Sequence, residues 1–103
     1  MLNDHLSAPD LLKIFPPVTD RQAKCLEFVW DYFLKNRFYP TQREVAHALN
    51  IQSNTAEVHL GPLIEKGYLT REPGRHRNIR LTQDGLEKLK LMGVNVKERL
   101  AAA

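Results

Sequence analysis

Two clusters of side chains in this 103-residue chain have types and spacing suited to reading a nucleic acid. The first is Gln52-Ser53-Asn54-Thr55-Ala56-Glu57-Val58. At about 100° per residue on a helix, Asn54, Thr55 and Val58 point away from Ala56 and Leu60, with Glu57 and His59 on the flanks. A solvated helix face more usually carries Lys and Glu. Short amide, hydroxyl and methyl groups near a helix N-terminus suit base edges in a major groove. Asn pairs with adenine, Glu accepts from cytosine, and Val or the Thr methyl touches a thymine methyl. The second cluster is Arg71–Arg80, with four arginines and one glutamate in ten residues, including Arg75-His76-Arg77. Arginines in a loop can hold phosphates or enter a minor groove. Each cluster also has a plain structural reading. The first would be helix formers and caps, the second a charged hairpin that resists edge-to-edge aggregation.

The elements around these clusters decide between the readings. Thr41 and Glu44 form a capping box, so a helix should begin at Gln42, with Val45, Ala46 and Leu49 as its apolar stripe. Asn50 is a left-handed stop. Ser53 is expected to cap a second helix whose inner face is Ala56, Leu60, Leu63 and Ile64. Gly67 ends it, with Lys66 favouring the dipole in the last turn. Tyr68–Arg71 reads as a strand, Glu72-Pro73-Gly74-Arg75-His76 as a turn, and Arg77–Leu81 as the returning strand. A helix-turn-helix followed by a β-hairpin is a winged helix-turn-helix. The fold class is therefore α+β, mainly α: a three-helix core plus a hairpin wing, with extra N- and C-terminal helices.

The remaining chain supplies the core. Thr19 and Gln22 make another capping box ahead of a helix to Lys35, whose stripe is Leu26, Val29, Trp30, Phe33 and Leu34. Phe28, Tyr32 and Cys25 widen that stripe, which implies a second contact. Phe38 is expected to plug the core from the loop before Pro40, and Arg37 to be a solvated loop residue. Residues 1–18 read as an arm or short helix that packs its Leu and Phe side chains on the domain or mediates dimerisation. Residues 19–92 form the winged domain and residues 93–103 a tail or short helix. Thr82 caps the last domain helix, with Leu86 and Leu89 facing inward.

Composition excludes several classes. One cysteine allows no internal disulfide and no cysteine metal site. No stretch approaches the roughly 18 apolar residues of a membrane span. No segment resembles a signal peptide, so the cytoplasm is the expected location. His5, His47, His59 and His76 are scattered without ligand spacing, and the five glycines form no phosphate loop. Neither catalysis nor a cofactor is expected. The net charge is +3, and residues 36–81 hold seven basic and four acidic side chains, so the basic excess lies beside the first cluster.

Residues 19–81 resemble the N-terminal DNA-binding domain of the LexA repressor family. The matching positions are Thr19-x-Arg21-Gln22, Pro40-Thr41-x-x-Glu44-Val45-Ala46-x-x-Leu49, Ser53-Asn54-x-Ala56-Glu57-x-His59-Leu60, Leu63, Lys66-Gly67 and Asn78-Ile79-Arg80-Leu81. The resemblance implies that Ser53, Asn54, Thr55, Glu57 and Val58 fall where the family reads bases. Asn54 and Glu57 keep the family's residue types, whereas Thr55 and Val58 depart, which implies a different operator. Gly61-Pro62 inside the second helix is a further departure, and Pro62 removes a backbone bond to Val58. The family's serine–lysine protease domain has no counterpart in these residues, so self-cleavage is not carried over.

These readings converge on a sequence-specific regulator of transcription, most simply a repressor, bound to double-stranded DNA. Base contacts are expected from Gln52, Ser53, Asn54, Thr55, Glu57 and Val58. Backbone or minor-groove contacts are expected from Gln42, Arg43, Arg71, Arg75, His76, Arg77 and Arg80. One reading helix gives limited specificity, so a homodimer on a palindrome is expected. The alternatives are a winged module that binds a protein through the first helix or the termini, and a plasmid or phage replication protein.

Overall fold

Thr19 and Thr41 each start a helix by the same device, in a computed structural model that describes residues 14–94. Gln22 N–H donates to Thr19 Oγ1 at 3.1 Å, and Thr19 N–H donates to Gln22 Oε1 at 3.2 Å. Helix α1 then runs Asp20–Asn36 and stops at Arg37, whose φ of 65° is left-handed and whose N–H donates to the Phe33 carbonyl. Thr41 and Glu44 repeat the reciprocal bonds at 3.1 and 2.8 Å, opening α2 at Gln42–Leu49. Asn50, at φ 58°, ends it as expected, and Ile51 N–H donates to the Ala46 carbonyl, closing the tight turn.

Helix α3 spans Ser53–Glu65. The expected Ser53 cap is corrected: Gln52 holds the extended cap position without a side-chain cap bond, and Ser53 is the first helical residue. Pro62 sits inside an unbroken helix, half-buried beside the fully buried Leu63. Lys66 follows as the cap, but its ammonium does more than favour the dipole. It donates to the Pro17 carbonyl at 2.7 Å and to Gln22 Oε1 at 2.8 Å, tying the end of α3 to the start of α1. Gly67 turns the chain at φ 83°.

Strands β1 (Leu69–Arg71) and β2 (Ile79–Leu81) pair antiparallel, with Leu69 opposite Leu81 and Arg71 opposite Ile79. Both are shorter than expected. Tyr68 turns into the core and its carbonyl accepts from Thr82 N–H, while Arg77 leaves the alternation to meet Glu44. Gly74 at φ 82° makes the Pro-Gly turn. Thr82 caps α4 (Gln83–Leu91) by accepting from Gly85 N–H at 3.0 Å. Gly85 allows α4 to press on Leu81 of β2 and on Tyr68, just ahead of β1: a Cβ there would stand 2.6 Å from Leu81 Cδ1 and run into the Tyr68 carbonyl.

Cys25, Leu26 and Val29 of α1, Val45 of α2, Ala56, Leu60 and Leu63 of α3, Ile79 and Leu89 are fully buried in one core. The inner faces follow the predicted stripes, with Phe33, Ile64 and Leu86 only partly covered. Each fully buried Leu or Val contributes about 1.5–3 kcal/mol by leaving water. Ahead of α1, Phe15 stacks on Tyr68 with centroids 6.4 Å apart, and the Tyr68 hydroxyl donates to the Pro16 carbonyl. Ile14 to Val18 contain no helix, and the rest of the expected arm, like the tail from residue 95, lies outside the described residues. Phe38 is not a core plug. It is 45% exposed and meets the Tyr32 ring edge-on at 5.8 Å.

Candidate nucleic-acid interface

The outward face of α3 is built by its inward one. With Ala56, Leu60 and Leu63 fixed in the core, helical periodicity turns Gln52, Ser53, Asn54, Thr55, Glu57 and Val58 to solvent, and all six are exposed. Val58 is 64% exposed, an apolar group that nothing in the described fold covers. Beside this face a cleft of about 460 Å³ opens between the starts of α2 and α3 and the wing. Gln42, Arg43, Ser53, Arg71, His76 and Arg77 line it, so it brings members of both sequence clusters together.

The basic residues divide into two groups. Arg43, Arg75 and His76 are exposed, as a phosphate contact requires. Arg75 also pairs with Glu72 at 3.1 Å, and Arg80 approaches the same carboxylate at 3.1 Å. Arg77 is tied into the fold: Nη1 donates to Glu44 Oε1 at 2.6 Å and to the Tyr39 carbonyl at 3.0 Å, and its Cζ lies 4.5 Å from the Phe38 ring centroid. Gln42 is a strut as well as a lining residue, because its Nε2 donates to the Ser53 carbonyl at 2.7 Å. Arg71 reaches Glu57 at 3.0 Å.

Glu44 is the hub that sequence reasoning assigned only to a helix cap. Besides the cap it accepts from Tyr32 OH at 2.9 Å and from both Arg77 Nη atoms, joining α1, α2 and the wing. The Arg77 hydrogen bonds dominate its titration. They outweigh the cost of burial, and with the Thr41 N–H and Tyr32 OH they hold the carboxyl down to about 2. Glu44 in turn raises Arg77 above its ordinary value. The Thr-x-x-Glu spacing made the cap visible, whereas no local signal marks a partner 33 residues away.

Burial pushes the Cys25 thiol up to about 12, which removes it as a nucleophile. Among the described residues, no three acidic, His or Cys side chains form a metal cluster, and no helix is long and apolar enough to cross a membrane.

The LexA DNA binding domain family matches residues 16–78. Similar proteins include a LexA repressor of Thermotoga maritima, 36% identical over 76 residues, which are 74% of this chain and 39% of that protein. A LexA repressor of Shewanella piezotolerans is 41% identical over 76 residues, covering 73% of this chain and 37% of the relative. LexA repressor 2 of Geobacter sulfurreducens is 42% identical over 66 residues, covering 63% and 32%. The chain thus spans about two fifths or less of the length of these curated relatives.

Proposed function

The chain belongs to the LexA DNA-binding domain family, and from that premise we propose that it is a sequence-specific double-stranded DNA-binding repressor of transcription. The first turns of α3 enter the major groove, where Asn54 pairs with adenine, Glu57 accepts from cytosine, and Val58 or the Thr55 methyl meets a thymine methyl. Gln52 and Ser53 reach the flanking base or sugar. Arg43, Arg75 and His76 contact phosphates or the minor groove, with Arg71 and Arg80 beside them. Arg77 supports the wing. The observation that carries this reading is the exposed, short-chained face Gln52–Val58, set beside a basic wing on a fully packed core. The family makes a purely protein-binding role or a replication role less economical. The proposed activity is binding, with no chemical step.

Selection from a random duplex library at two salt concentrations tests it. The expected result is an enriched site. Asn54→Ala should relax one base position, while Arg75→Ala should weaken all sequences alike and reduce the salt slope by about one. Salt-sensitive binding with no enriched site would leave only an architectural role. A homodimer predicts a palindromic site and two chains per site, and one chain per site would remove that part of the reading.

A further inference from the structure

Glu57 does not hang free on the exposed face of α3. Its Oε1 accepts from Arg71 Nη2 at 3.0 Å, across the gap to β1. Its Oε2 lies back over the next helical turn, where a Cβ on Gly61 would stand only 3.2 Å away. Arg71 has few other anchors. Its Nε is buried with no acceptor, and Nη2 also reaches Gln42 Oε1 at 3.5 Å, the outer limit of a hydrogen bond. Gln42 is fixed by its bond to the Ser53 carbonyl. Ser53, Gln42, Arg71 and Glu57 therefore link the first residue of α3, the first residue of α2 and the wing strand back to the reading face.

Two partly exposed side chains gain little stability from such a pair. The pair's stronger effect is on direction. Cytosine N4 and adenine N6 are both donors in the major groove, so a carboxylate free to swing can accept from either. A carboxylate held at one place discriminates by position, and its remaining lone pairs stay available after Arg71 has taken one. Resting on the DNA-reading function above, we propose that Arg71 is a positioning residue that determines specificity. From the wing it fixes the direction of the Glu57 carboxylate, and Gly61 keeps the space into which that carboxylate folds. Base preference at one position is then set jointly by helix and wing, and Gly61, a departure from the family's pattern, has a role. Arg71 becomes a residue whose loss changes which base is chosen, in contrast to a simple phosphate contact.

The test is library selection with the whole chain and four variants, each checked by thermal melting. Glu57→Ala identifies the column that Glu57 reads. Arg71→Ala is expected to broaden that column from cytosine toward adenine, with discrimination falling about fivefold or more, the low end for a good base contact, and Gly61→Ala to broaden it by less, since its Cβ displaces the carboxylate only slightly. Other columns should be unchanged. Gly61→Ala replaces glycine in a helix interior with the best helix former, so it keeps the fold while crowding Glu57. Arg71→Lys retains the charge without the planar fork, and should broaden the same column. An Arg71→Ala profile that drops for all sequences alike, with the salt slope lower by about one and the column intact, would overturn the proposal and make Arg71 a phosphate contact. No column lost in Glu57→Ala also overturns it. A wild-type chain that enriches no site would instead overturn the DNA-reading function, and this inference with it.

Discussion

Replacing Glu44 by Gln separates the two duties of that side chain. Gln can still complete the capping box, as Gln22 does for α1, so the start of α2 should survive. What is lost is the charge facing Arg77, which keeps the Tyr39 carbonyl, the Tyr32 hydroxyl at 3.5 Å and the Phe38 ring. The carboxyl is held from an ordinary 4.5 down to about 2, and the whole shift would correspond to about 3 kcal/mol. Both side chains are about a third exposed, at 34% and 35%, and solvent screening reduces the expected contribution to about 1–2 kcal/mol. Because the folded-state value is the lower one, this stabilisation is complete above about pH 4.5 and is lost as pH falls toward 2. Urea unfolding followed by the fluorescence of the buried Trp30 can measure it, in a cycle of Glu44→Gln, Arg77→Met and the double variant. The coupling should be about 1–2 kcal/mol at pH 7 and less than half of that at pH 3. A coupling below about 0.3 kcal/mol, or one that stays flat between pH 7 and 3, would refute the assignment of Glu44 as an electrostatic hub.

Two further outcomes follow from packing. Gly85→Ala should destabilise the domain by about 2–3 kcal/mol despite alanine's helix propensity, because its Cβ meets backbone at the Tyr68 carbonyl; an unchanged melting temperature would show that α4 does not press on Tyr68 in this way. Cys25 should react with a thiol reagent at pH 8 about a thousandfold more slowly in the native protein than in denaturant, since it is buried with its thiol pushed up to about 12; comparable rates would place it outside the core.

Much of this fold is written in short-range chemistry. The Thr19–Gln22 and Thr41–Glu44 boxes, the Asn50 stop, the Gly67 turn and the Thr82 cap each involve residues within a few positions of one another, and each formed where the sequence placed it. Ser53 misled because a serine near a helix start serves equally as cap or first residue, and the tight turn after Asn50 places Gln52 at the cap. The exposed face of α3 was legible because its core stripe is regular. The pairing of the wing was not: Arg77 with Glu44, Arg71 with Glu57 and Tyr68 with Pro16 lie 33, 14 and 52 residues apart. Composition showed four arginines in ten residues, but only the fold shows that each meets an acid of the chain, Arg71 with Glu57, Arg77 with Glu44, and Arg75 and Arg80 with Glu72.

Glu72 sits between Arg75 and Arg80, close to both at 3.1 Å. A free arginine carries about 2 kcal/mol of rotamer entropy, which binding would have to remove. In the wing part of that freedom is already removed when the domain folds, so an arriving anion meets guanidinium groups whose positions are partly set. Such preorganisation makes the surface less adaptable and more demanding about ligand geometry. The acidic side chain that dilutes the positive charge of the wing also gives that charge a shape.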